Sequence, residues 1–446
     1  MQRALVTAFS TAVLLMTSSH LGFAHEADSL WDKENLTGEW GGLRDHLADK
    51  GITPGFKYTG EVFTNPKGGV RRGTDYEHQL LASLDLDFEK MAGLDGTTAH
   101  LSGLSINDHG PSVRHVGNAM DVSNAEWRPQ TRLWTAWLQK NTAEDVFSLR
   151  LGQLSWDDEF DVSPTAGTLL NSTFGSNASV FANLPAGVSN KDKVTTGPAY
   201  PLGAPGVRFA YQPNKNWAFL TAALSGQPAS ADRNGLQFHV SGGTMVLSEL
   251  QYRLNQEKDA VGLPALYKIG GWYHSGQFNN IRLDKNNQSL ALGGDAKQES
   301  GNWSLYGVVD RAVWRNDAGQ IINLFTRVNL VPQSDRNLVT FYVDGGAGIT
   351  GLLPGRGADI LTLGVGYAKV SHDARVLDRE NGVAVRSNET AVELAYQAAI
   401  APWWSVTPDV QYIINPAYGG QDPIKANPTD RIPNALVFGV RTGITF

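Results

Sequence analysis

The chain of 446 residues contains no cysteine. Neither a disulfide nor thiolate chemistry is available, and the fold must hold without covalent staples. Positive charge is not in excess either. There are 37 Lys+Arg against 44 Asp+Glu, a formal net charge of −7, which argues against the basic patch that nucleic acid needs. Beyond residue 24 no stretch is apolar enough for a helical membrane span. A mean hydropathy of −0.25 counts against membrane helices but not against a barrel. A barrel wall alternates lipid-facing with lumen-facing residues, so its average stays near that of a soluble protein. Enzymatic signatures are missing as well. The loop histidines His109, His115, His239 and His372 show no HExxH spacing and no evident nucleophile partner. Asp108, His109 and His115 offer metal-ligand chemistry, but two loop histidines six apart are more often exposed polar residues. The glycine run GGAGITG (345–351) lacks the Lys-Ser/Thr of a P-loop. In a strand such glycines more simply relieve curvature or crowding. No enzyme, cofactor or metal is expected.

What is present begins with an export signal. Arg3 supplies a positive start, Ala4 to Met16 is apolar, and Gly22-Phe23-Ala24 places small residues at both cleavage subsites. Residues 1–24 are therefore expected to be a signal peptide cleaved after Ala24. Residues 25–54 are polar, and are read as a periplasmic segment. Within GEWGGLRDHLADKGI (38–52), Trp40, Leu43 and Leu47 fall at helical spacing and Gly51 ends the pattern.

From residue 55 to 446 the chain breaks into short alternating segments. In LLASLDLDF, Leu80, Ala82, Leu84, Leu86 and Phe88 face one way while Ser83, Asp85 and Asp87 face the other. In ETAVELAYQAAI, Val392, Leu394, Tyr396 and Ile400 oppose Glu393, Ala395 and Gln397. One face is too charged for a soluble core and the other too regularly apolar for a solvated surface, which fits lipid outside and water inside. The expected strands start near 55, 77, 97, 130, 146, 205, 217, 244, 265, 302, 320, 338, 359, 389, 403 and 433. The tally is about sixteen, an even number as single-chain bacterial barrels require. Short links alternate with long ones at 107–129, 155–204, 226–243, 276–301, 371–388 and 414–432. The links at 331–337 and 348–358 break the alternation, and Pro408 fits poorly inside a strand. The fold class is all-β: a transmembrane antiparallel barrel of the bacterial outer membrane. A β-propeller is the soluble rival, but no repeat of blade-like period occurs. The final segment, PNALVFGVRTGITF (433–446), ends on Phe446 as the closing strand of such a barrel does, with the aromatic at the membrane interface.

The blocks GEWGGLRDHLADKGI (38–52), FEKMAGLDG (88–96), RLGQLSWDDEFDVSPTAGTLLNSTFG (150–175), GWYHSGQF (271–278), LPGRGADILTLGVGYA (353–368) and TPDVQYIINP (407–416) resemble, in order, the OprB-type carbohydrate-selective porins. The resemblance implies a sixteen-stranded outer-membrane barrel that passes sugars, with a long third external loop folded inward. It also implies an outer-membrane lipid environment and recognition of Phe446 by the barrel assembly machinery. Substrate identity does not follow from it.

A sugar pore needs donors and acceptors for hydroxyls and an aromatic face, each holding weakly enough for release. Inward charges on this register are Lys57, Glu61, Asp85, Asp87, Arg150, Arg208, Glu249, Arg253, Lys268, Arg327, Glu393, Asp409 and Arg441. Mixed signs suit a neutral polyol. The candidate substrate-binding set is Arg150, Arg208, Trp156, Asp157, Asp158, Glu159, Phe174, Glu61, Glu249 and Arg441. Arg150 ranks first because it opens the best-matching block and leads into the long loop, and Arg208 lies on the strand leaving that loop. The acidic cluster Asp157, Asp158, Glu159 and Asp161 reads equally as an ion-binding or Arg-paired brace. Trp156 and Phe174 are a candidate stacking surface or simple loop-to-wall packing. Any one of these charges can equally be a solvated or wall-bracing group. A non-conducting, polysaccharide-binding lectin-like barrel remains the alternative.

Overall fold

The computed structural model describes residues 29–184, 197–228, 234–236, 238–257 and 260–446. The expected signal peptide lies outside the described residues. The chain forms β1 (Ile52–Lys67), β2 (Gly73–Asp87), β3 (Thr97–Ile106), β4 (Gln130–Asn141), β5 (Phe147–Leu154) and β6 (Ala204–Tyr211). It continues through β7 (Trp217–Ser225), β8 (Thr244–Leu254), β9 (Ala265–Asp284), β10 (Ala296–Arg315) and β11 (Ile321–Leu330). The last strands are β12 (Val339–Thr350), β13 (Ile360–Val370), β14 (Asn388–Ala401), β15 (Trp404–Ile414) and β16 (Ala435–Thr445). Each bonds to its sequence neighbours, and β16 returns to β1 in antiparallel register, Tyr58 opposite Ile444 and Glu61 opposite Arg441. The barrel is closed, so no strand edge is left unpaired.

The alternation read from the sequence sorts the two faces. Leu80, Leu151, Val207, Leu250, Leu394, Phe438 and Val440 project outward and remain exposed on the isolated chain. Their inward neighbours Glu77, Arg150, Arg208, Glu249, Glu393 and Val437 are buried. Near the short-link end, Phe147 stacks on Tyr211 at 4.9 Å, and Trp217, Tyr252 and Tyr267 follow on successive strands. Such a band is the aromatic girdle of a membrane barrel. No described helix is long and apolar enough to cross a membrane; the strands do the spanning.

One detail differs from the sequence reading, and one difficulty in it is resolved. The stretch 276–301, expected as a long irregular loop, is mostly strand, because β9 and β10 run on past the wall as a paired hairpin. Its inner face is buried but mostly polar, with His274, Asn280 and Asn302 buried and Ser275, Gln277 and Asn279 exposed, so no regular apolar side signals a strand. Pro408 does sit in β15, opposite Val440 of β16. Pairing toward β14 resumes only at Ala398–Val406 after Ala395–Asp409, so the missing N–H falls in a gap of the ladder.

At the short-link end, α1 (Leu43–Asp49) forms where the helical spacing lies, and Gly51 follows it at φ +81°. A Cβ at Gly51 would come 2.4 Å from the carbonyl oxygen of Asp87. Arg44 donates to the Phe446 carbonyl oxygen at 2.8 Å, and the Leu36 amide donates to that of Thr445 at 2.9 Å. The N-terminal stretch thus docks on the seam where β1 and β16 meet.

Candidate functional site

The third external loop, described over 155–184 and 197–203, leaves β5 and turns into the lumen. It carries α2 (Ala178–Asn183) and short 3-10 turns at Trp156–Asp158, Ala166–Thr168 and Ser172–Phe174. Backbone polar groups drawn into a barrel need partners, and the wall from β8 to β14 supplies them. Glu249 of β8 accepts from the Asp161 amide at 2.8 Å. Asp310 of β10 accepts from the Thr165 amide at 2.8 Å and from the hydroxyls of Ser163 and Thr165 at 2.6 and 2.8 Å. Arg327 of β11 donates to the carbonyls of Asp161, Thr173 and Gly175 at 2.8–3.0 Å, and Asp344 of β12 neutralises it at 2.5 Å. Glu393 of β14 accepts from the amides of Leu170 and Asn171. Glycines make the seat: a Cβ at Gly364 would come 2.4 Å from Leu169 and 2.9 Å from Phe174, and one at Gly348 would come 2.9 Å from Thr165. Within the glycine run at 345–351, Gly348 relieves crowding against the loop, while Gly346 makes room for the Leu363 carbonyl and the Phe325 ring of the wall.

The opposite flank of the loop faces β4 to β7. There Arg150 of β5 stands directly across from Arg208 of β6, and Gln139 of β4 across from Arg150. Like charges in register would repel, but Glu159 of the loop lies between them. Arg208 reaches Glu159 through two bonds of 2.9 Å, and Arg150 approaches it at 3.4 Å. Gln139 accepts from Arg150 at 2.9 Å and from Arg208 at 3.0 Å. The guanidinium of Arg150 also lies over the Trp137 ring, 3.9 Å from its centroid. Two-point binding of a carboxylate by arginine is geometrically demanding, so Glu159 fixes where the loop starts its descent.

Between this cluster and the loop is a narrow recess with room for about one water molecule, lined among others by Trp137, Arg150, Trp156, Asp158, Glu159 and Arg208. Trp156 is buried, and its indole N–H has no acceptor among the described residues. Burial pushes the Asp158 carboxyl well above the ordinary carboxylate range; the neighbouring Asp157 adds to the rise and Arg150 opposes it.

Five residues singled out from the sequence therefore converge: Arg150, Arg208, Trp156, Asp158 and Glu159. The other five lie elsewhere. Asp157 turns away to accept from Ser155, Ser176 and the Tyr200 amide. Phe174, 1% exposed, meets Phe325 edge-on at 6.3 Å and packs the loop on the wall. Glu249 holds the loop as described, and also bonds Tyr306 and Lys268. Glu61 and Arg441 pair with each other and grip the 107–129 loop through Ser123 and Asn124. Asp161 bonds Asn177 and Asn329. Sequence reasoning missed Trp137, Gln139, His100 and Asp310. Phase alone reaches Trp137 and Gln139, since both share the inward face of β4; their contacts are long-range and leave no local trace.

A closed sixteen-stranded antiparallel barrel, apolar outside and charged within, with one loop drawn into the lumen, is a diffusion pore of the bacterial outer membrane. The chain belongs to the OprB family of carbohydrate-selective porins, whose family model matches residues 71–446. Porin B of Pseudomonas aeruginosa is 24% identical over 473 aligned positions, covering 98% of this chain and 95% of that protein. A putative porin, QuiX, of Acinetobacter baylyi is 23% identical over 88% of this chain and 91% of its own length. The high-pH structure of Pseudomonas putida OprB superposes with a TM-score of 0.81 at 21% identity, covering 94% of this chain and 100% of that one. The protein is a multi-pass outer-membrane β-barrel and a carbohydrate-selective porin, a channel rather than a catalyst in its class.

Proposed function

We propose that the polar cluster around the recess between the third loop and the β4–β6 wall borders the station where a sugar pauses during passive diffusion, the recess admitting a single hydroxyl rather than the whole ring. The observation that carries this reading is a lining of mixed chemistry around one unused donor. Arg150 and Arg208 supply N–H groups, Asp158 and Glu159 supply oxygens, and the buried Trp156 N–H has no acceptor among the described residues. A sugar hydroxyl both donates and accepts, so it satisfies either kind of group, and contacts of this sort stay weak enough for release. Mixed charge favours neutral sugars over anions. Nothing in this arrangement calls for chemical turnover; transport is recognition without reaction.

The remaining assignments belong to the same reading. Residues 1–24 direct export and are removed, and 25–54 stay on the periplasmic side. The apolar outer belt contacts outer-membrane lipid, and Phe446 serves the barrel assembly machinery. Planar-bilayer recording tests the proposal. The pure protein should open channels whose current falls as a neutral mono- or disaccharide is added. Silent bilayers would favour a non-conducting lectin instead.

A further inference from the structure

Trp137 lies at the centre of a row that crosses four strands. Asp85 of β2 stands opposite His100 of β3, His100 opposite Trp137 of β4, and Trp137 opposite Gly152 of β5. Nδ1 of His100 meets Asp85 at 2.7 Å, and the imidazole stacks on the indole with centroids 5.2 Å apart and planes 20° apart. From the other side of β4, the Arg150 guanidinium lies 3.9 Å from the indole centroid. The space for this is made by Gly152, whose φ is +147° and whose Cβ would stand 2.2 Å from the Ala136 carbonyl oxygen and 2.6 Å from the Trp137 Cα. Both faces of the indole are therefore taken, one by a ring and one by a cation. It offers a sugar its edge rather than a stacking surface.

We propose that Trp137 is a positioning residue: it holds Arg150 flat against the wall, so that this guanidinium faces Glu159 instead of standing out into the lumen. His100, tied to Asp85, backs the indole from the far side. Three residues of β2, β3 and β4 thereby set how much positive charge the passage presents, and with it the balance between neutral sugar and small anions. A guanidinium on an aromatic face gives up little of its charge but most of its freedom. Removing the face releases a mobile cation beside the recess.

This inference rests on the reading of the recess as the border of the sugar station, and two measurements on W137L separate the two. The first is the reversal potential across a KCl gradient, which should move toward anion selectivity in W137L, return in W137L/R150Q, and stay near the parent value in W137F. The second is the sugar concentration that halves the current, which should rise about three- to tenfold in W137L, the size expected for loss of one cation–π contact. A parent pore indifferent to sugar refutes the station. A sugar-sensitive parent together with a W137L pore of unchanged reversal potential and unchanged half-blocking concentration refutes the positioning role. Should W137L not insert as a barrel, H100L decides in its place: a smaller shift in the same direction supports the proposal and no shift overturns it.

Discussion

The two sides of the lumen use charge differently. On the β8–β14 side, Glu249, Asp310, Arg327 and Glu393 all bond the backbone of the third loop. On the β2–β6 side, Asp85, His100, Gln139, Arg150 and Arg208 engage other side chains, and the one loop group they reach is the side chain of Glu159. Backbone amides and carbonyls cannot leave without losing a partner inside the barrel, so the first side fixes the loop rigidly. Side-chain contacts hold no loop backbone in place, so on the second side a passing hydroxyl can add to the cluster without undoing the loop. A pore needs both: one wall to hold the constriction in place and one to read what enters it.

The sharpest way to break this contrast is at the buried Arg327–Asp344 pair. Arg327→Met leaves Asp344 without its cation and takes a donor from three loop carbonyls, of which that of Thr173 keeps the Tyr342 hydroxyl. The expected loss is about 3–5 kcal/mol, seen as a lower denaturant midpoint in detergent, together with a larger single-channel conductance as the loop loosens. Asp310→Ala removes three bonds to Ser163 and Thr165. It should cost about 1–3 kcal/mol and raise conductance less. Asp85→Asn is the contrasting case on the reading wall. Its carboxylate is 56% exposed and, among the described residues, bonds only His100, so stability should fall by less than about 1 kcal/mol. A loss at Asp85 as large as at Arg327 would erase the distinction between the walls.

Most of the wall was legible in the sequence because strand phase is a local property. Leu394 outside and Glu393 inside β14, or Phe438 outside and Val437 inside β16, follow from alternation alone. The β9–β10 hairpin was not legible, since its buried face is mostly polar and gives no apolar stripe. The site was legible in half. Arg150, Arg208, Glu159, Asp158 and Trp156 were placed together by being on or beside one long connection. Glu61, Arg441 and Glu249 are charged and share the same inward phase, yet they grip loop segments outside the recess. Which inward charge a loop will cover depends on how the loop folds back, up to 318 residues away in sequence for Ser123 and Arg441. No spacing rule encodes that.

The recess claim is tested most directly by the current through Glu159→Gln pores as a neutral sugar is titrated. The amide keeps the shape but weakens the grip of Arg208 and Arg150 on the loop. The half-blocking sugar concentration should rise about tenfold, corresponding to loss of roughly 1.5 kcal/mol from a charge-assisted hydrogen bond, while channels still open. A Glu159→Gln pore blocked by sugar as readily as the parent would contradict the account.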